Sequence, residues 1–162
     1  MADCATWWLD HTGETYMYVA ATKQKDPRLQ GNAVTKLVDG ATEWGELLGL
    51  PQAGKLMSEH VALVKHVTDL AFAGEAGSVD PYVEALLENV RQQADLYEKT
   101  IPGFPRADFE KLFTTHVTST GGYILALASR DMPDFQKNYN NMVQNRNQLA
   151  RFWGRICLIL KK

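Results

Sequence analysis

The sequence predicts an all-α protein, an antiparallel up-and-down bundle of about six helices built from three helical hairpins. Three observations carry this reading. Turn-forming clusters cut the chain into segments of helical length, at Lys25-Asp26-Pro27, Gly49-Leu50-Pro51, Gly74 to Ser78, Thr100 to Pro105 and Arg130 to Pro133. Within the segments apolar residues recur at three- and four-residue intervals, and none shows the sustained alternation of a strand. Finally, one residue pattern occurs three times along the chain.

The first helix is expected over 4–24, with Asp3 as its N-cap. The second, over 28–48, aligns Val34, Leu37, Val38, Ala41, Trp44 and Leu48 in one stripe. Pro51 suits the opening turn of the third, over 52–73. Asp80 and Pro81 read as cap and first position of the fourth, over 80–99, whose stripe is Val83, Leu86, Leu87, Val90, Ala94 and Tyr97. The fifth and sixth are expected over 106–129 and 133–159. The short connections make each helix run antiparallel to its predecessor. The chain is expected to be one domain, 1–162, with hairpins at about 1–49, 50–105 and 106–162. A short solenoid of stacked hairpins is the alternative architecture.

Each odd-numbered helix carries a histidine, in Asp10-His11-Thr12, Glu59-His60-Val61 and Thr115-His116-Val117. Three positions earlier stand Trp8, Met57 and Phe113, and 26 positions later stand Leu37, Leu86 and Met142, with no gap in any hairpin. Further on, Leu47, Leu96 and Phe152 correspond, as do Leu48, Tyr97 and Trp153. In an antiparallel hairpin, residues equidistant from the turn share a height. The level of each histidine is therefore matched 29 positions on by Gly40, Asn89 and Asn145, and 32 positions on by Glu43, Gln92 and Gln148. A polar layer midway up the bundle is expected.

That layer has two readings. Imidazoles satisfied by amides across each hairpin would form a structural layer, because an unpaired buried polar group costs about 1–3 kcal/mol. Alternatively His11, His60 and His116 with Glu43 would hold zinc, iron or manganese, Asp10, Glu14 and Glu59 being optional further ligands. Asn89, Asn145, Gln92 and Gln148 would then orient the ligands from behind. The chain has no Glu-x-x-His motif and no histidine pair four apart, and His66 falls on the helix face opposite His60. No catalytic residue is assigned. Cys4, in a first helical turn, lacks an evident base.

Composition excludes several functions. With 17 basic and 19 acidic residues the net charge is −2, which argues against nucleic-acid binding by bulk charge. The longest apolar runs, Tyr123 to Ala128 and Ile156 to Leu160, fall far short of the roughly 18 residues that span a bilayer. The start lacks the basic-then-apolar pattern of a secretory leader, so a cytoplasmic location is expected. Two cysteines suit a reducing compartment, although an even number of antiparallel helices brings Cys4 and Cys157 to the same end, where they could pair.

Other features bear on partners. Trp8 lies at the height of Trp44 and is expected to pair with it, which points Trp7 elsewhere, toward another helix or a partner, where it would belong to an interaction surface. Residues 151–162 combine apolar positions with Arg151, Arg155, Lys161 and Lys162, as a helix docking on a partner or a membrane surface would. Asp134, Gln136, Lys137, Asn138, Asn140, Asn141, Gln144, Asn145 and Asn147 form an amide-rich, solvated face. Gly121-Gly122 inside the fifth helix suggests a close helix approach or a local kink there, opposite a bulky side chain such as Tyr16 or Trp44.

The strings Glu59-His60-Val61-Ala62-Leu63-Val64 and Thr115-His116-Val117-Thr118-Ser119-Thr120 resemble the recurring histidine-bearing helices of a widespread group of small uncharacterised helical proteins in bacteria. Leu86-Leu87-Glu88-Asn89 and Met142-Val143-Gln144-Asn145 resemble that group's even-numbered helices, whereas Gly40 departs from its asparagine. The resemblance implies the repeat and a cytosolic location, and no activity. The leading expectation is therefore a non-enzymatic interaction or structural protein whose partner is another protein or a second copy of itself. A metal- or small-ligand-binding bundle and a peripheral membrane protein are the alternatives.

Overall fold

Six helices account for nearly all of residues 3–160, which the computed structural model describes. They are α1 (Cys4–Gln24), α2 (Pro27–Leu48), α3 (Pro51–Ala73), α4 (Asp80–Thr100), α5 (Arg106–Ser129) and α6 (Met132–Leu160), with one 3-10 turn at Ala76–Ser78. Local chemistry explains the boundaries. The Asp3 carboxylate accepts from the Thr6 amide at 2.8 Å, and that of Asp26 accepts from the Arg28 and Leu29 amides at 3.0 Å each. Gly49 and Gly74 end α2 and α3 in the left-handed region, at φ 66° and 85°. α4 begins one residue earlier than its Asp-Pro signal suggests: Val79 is the N-cap and Asp80 lies in the first turn, where its charge favours the helix dipole.

Each helix packs on its neighbours in sequence, α6 returns to α1, and α3 also touches α5 and α1. The ring closes around a core, which is a bundle and not a solenoid. One crossing needs glycine: a Cβ on Gly54 of α3 would lie 2.9 Å from the Ala41 carbonyl oxygen of α2, and one on Gly45 would lie 3.1 Å from the Gly54 nitrogen. In the pair Gly121-Gly122, only Gly122 makes a close helix approach, and its neighbour differs from the expected one. A Cβ on Gly122 would strike Asn138 of α6, not Tyr16 or Trp44, and one on Gly121 meets nothing within 4 Å.

The core has two halves. Trp8, Trp44, Tyr97, Phe109, Phe113, Phe152 and Trp153 fill the end where α1 and α5 begin and α2, α4 and α6 finish, many of them in edge-to-face pairs. Aliphatic residues such as Val19, Val67, Val79 and Ile124 fill the other half. At the aromatic end a disulfide joins Cys4 to Cys157, with Cα atoms 6.3 Å apart, and ties α1 to α6. Cys4 is thus no free thiol, and the cysteines give no support to a reducing compartment. Among the described residues no helix is long and apolar enough to cross a membrane.

Trp7 belongs to no interaction surface and packs on another helix, the other of its two expected places. It is 3% exposed, stacks on His11 with centroids 5.0 Å apart, and lies 4.4 Å from Trp44. The expected Trp8–Trp44 pair is present at 6.1 Å. α1 is flanked by α2, α3 and α6, so residues on more than one of its faces are buried. On α6, Phe152, Trp153, Ile156 and Cys157 are buried, while Arg151, Arg155, Leu158, Ile159 and Leu160 remain on the surface. Lys161 and Lys162 lie outside the described residues. The amide-rich face of α6 is solvated apart from Asn145, which is buried, and Asn138, half-buried against Gly122.

Candidate metal centre

Because α1, α3 and α5 run in the same direction with their histidines at one level, three imidazoles meet in the interior. The ring centroids of His11, His60 and His116 are 5.8 to 6.4 Å apart. One nitrogen from each lies within 4.8 Å of the other two, and exposures are 6%, 1% and 2%. They sit at the boundary between the core halves, with Trp7 and Trp8 against His11, Trp8 and Phe113 against His116, and Phe113 against His60.

Burial decides their charge. Desolvation, helped by the neighbouring His116, pushes His11 down to about 3. Desolvation alone pushes His116 down to about 4. His60 falls well below its ordinary value through desolvation first, then proximity to His116 and His11. All three are neutral at neutral pH, the form in which an imidazole offers a lone pair to a metal. The Nδ1 atoms of all three, and Nε2 of His11, have no hydrogen-bond partner among the described residues.

The amides expected to satisfy these rings do something else. Asn89 Nδ2 donates to the Leu56 carbonyl at 2.9 Å and Asn145 Nδ2 to the Leu112 carbonyl at 2.8 Å. Each bond links the position 29 after a histidine to the position four before it. In the first hairpin the same positions are joined in reverse, the Trp7 indole donating to the Gly40 carbonyl at 2.8 Å. Gln92, Gln148 and Glu43 are exposed and take no part in the layer. Buried instead are the residues one position later, Trp44, Gln93 and Leu149. Gln93 belongs to a buried chain that the sequence reading missed. Trp44 Nε1 donates to the Tyr97 hydroxyl at 3.0 Å, and that hydroxyl donates to Gln93 Oε1 at 3.0 Å. Gln93 Nε2 in turn donates to Asn89 Oδ1 at 2.7 Å.

Among the described residues no carboxylate joins the histidine cluster. Asp10, Glu14 and Glu43 rim a surface groove that also borders His11, where Glu14 pairs with Lys36 at 2.7 Å, and Glu59 is exposed. His66 is exposed on the far side of α3, stacked on Tyr82. On the side of the cluster away from the indoles, His60 and His116 line a cavity of about 320 Å³ between α3, α4 and α5, walled by Val64, Val67, Val83, Leu86 and Ile124. Its only sequence signal is Gly121. We found no match to a protein-family model, a curated protein or a solved structure.

Proposed function

We infer that this protein binds a divalent transition-metal ion through His11, His60 and His116. The observation that carries the reading is the convergence of three neutral imidazoles, unbonded at Nδ1, on one buried point. A tetrahedral ion with bonds of about 2.1 Å sets its nitrogen ligands about 3.4 Å apart, so small ring rotations would bring the three into place. An all-nitrogen set suits zinc, and iron(II) next; manganese is disfavoured without a carboxylate. Three protein ligands leave a coordination position open, as in zinc sites that take a further ligand. Trp7 is buried and offers no docking surface, which removes one support of the interaction reading.

Titration of untagged, chelator-treated protein with Zn²⁺ or Co²⁺, followed by calorimetry and elemental analysis, tests this. About one equivalent is expected, and His60→Phe should abolish uptake. Retention below about a tenth of an equivalent after saturation and desalting would end the reading. Peripheral membrane association is a second reading, supported by Leu158 and Ile159, which are 65% and 51% exposed close to Arg151 and Arg155. Sedimentation with anionic liposomes that removal of residues 158–162 does not reduce would refute it.

A further inference from the structure

The cavity beside the histidines has two features that packing does not require. Gly121 sits inside α5, where glycine is unfavourable relative to alanine, yet a Cβ there would meet nothing within 4 Å. The position faces the cavity, and its missing side chain keeps that space open. Thr120, 3% exposed, also lines the cavity, and its hydroxyl has no partner. Other helical threonines, among them Thr12, Thr15, Thr22, Thr68, Thr115 and Thr118, donate to the carbonyl four residues back. Thr120 does not. It stands one turn after His116, on the same face of α5, so its free hydroxyl and the cluster share one end of the cavity.

Charge supplies the rest. Three neutral imidazoles leave a divalent ion with its full charge in an apolar interior, a state that demands a counter-anion. Among the described residues no carboxylate joins the cluster, and Asp80, the acidic residue lining the cavity, is exposed. The anion then comes from outside the described residues, as hydroxide from metal-bound water or as the head group of a ligand that displaces it. Beyond the head end the walls are mainly hydrocarbon, with Asp80 and Thr118 as polar members, and the volume of about 320 Å³ lies at the lower end of the range for small-molecule sites.

We propose that this cavity binds an aliphatic monoanion, its charged head at the metal and the Thr120 hydroxyl, its hydrocarbon body along Val64, Val67, Val83 and Leu86. The proposal rests on the metal reading, and the experiment separates the two. Co²⁺-loaded protein with its disulfide intact is titrated with octanoate, acetate and octanol while the visible Co²⁺ spectrum is followed. A carboxylate probe is used because a thiol would attack the disulfide.

Octanoate is expected to perturb the spectrum and to bind at least about tenfold more tightly than acetate, the gain coming from the buried methylenes. Octanol should leave the spectrum unchanged and compete only weakly. Gly121→Leu, which fills the cavity, should retain Co²⁺ and acetate binding but lose the octanoate advantage; Val83→Phe provides the same test if Gly121→Leu does not fold. Equal affinities for octanoate and acetate, octanol competing as well as octanoate, or an undiminished octanoate advantage in the folded variant would each overturn the proposal while leaving the metal site standing. Failure to take up Co²⁺ would overturn both.

Discussion

The metal-free protein is expected to lose stability steeply as pH falls through the range in which free histidine titrates. Burial holds His11 down at about 3 and His116 at about 4, with His60 also well below its ordinary value. Unfolding returns each to about 6.5. Below that value the unfolded chain binds more protons than the folded one, so the stability these groups confer is present in full above it. That stability is lost progressively as pH falls toward the folded values. Between about pH 7.5 and pH 5.5 each histidine accounts for about 1.4 kcal/mol, and the three together for about 4 kcal/mol. That is a large share of the roughly 5–15 kcal/mol that a domain possesses. Urea unfolding followed by tryptophan fluorescence, in chelator and at closely spaced pH values, measures it. Near pH 5.5 the slope should approach about 4 kcal/mol per pH unit, and His116→Gln should reduce proton uptake by about one. A slope below about 1.4 kcal/mol per unit, fewer than one proton, would mean that the rings are already charged or solvated in the fold, and the supply of neutral ligands would be gone.

The two helical glycines with opposite surroundings should respond oppositely. Gly54→Ala forces a methyl against the Ala41 carbonyl and should cost about 1–3 kcal/mol, whereas Gly121→Ala enters open space and should stabilise by about 0.5–1 kcal/mol, both read from urea midpoints. The Cys4–Cys157 bridge spans a sequence separation of 153, so Cys4→Ser should cost up to about 5 kcal/mol by the chain-entropy argument. A thiol assay on the unfolded, unreduced protein that finds two free thiols would refute that. Asn89→Leu strands both the Leu56 carbonyl and the Gln93 amide and should cost about 1–3 kcal/mol. Asn145→Leu, whose Oδ1 already lacks a partner, should cost less by the same denaturation measurement.

Helix ends were legible because they depend on local chemistry: Asp3, Asp26, Pro51, Gly49 and Gly74 act within a turn or so of their own positions. The common level of the three histidines was legible too, since equal spacing to the hairpin partner fixes height. Azimuth was not. Positions 29 and 33 after each histidine face inward, while the position between them that holds Glu43, Gln92 and Gln148 turns out to solvent. Height counted from a turn says nothing about rotation around a helix, and a one-residue error swings a side chain by about 100°. The pairing of Trp7 with His11 escaped for a related reason, because a helix flanked by three others has little outward face. The cavity left no pattern of its own. Empty space has no residue, and only the cost of keeping Gly121 in a helix hints at it.

The same core contains the strongest argument against a purely structural role for the histidines. One turn from the cluster, Trp44, Tyr97, Gln93, Asn89 and the Leu56 carbonyl form an unbroken sequence of hydrogen bonds at 2.7 to 3.0 Å, while the Trp8 and Trp153 indoles and Asn145 Oδ1 are buried without a partner among the described residues. The means for pairing an imidazole were therefore at hand in amides already buried at the right level, yet those amides bond the backbone of the helices that carry the histidines. They fix the helices and leave the rings unengaged. An unpaired buried polar atom costs about 1–3 kcal/mol, and the cluster holds four, so phenylalanine or leucine at these positions would give a more stable layer. Three neutral nitrogen bases converging beside the hydrogen-bonded Asn89 and Gln93, and themselves unpaired at Nδ1, are what the proposed metal would use.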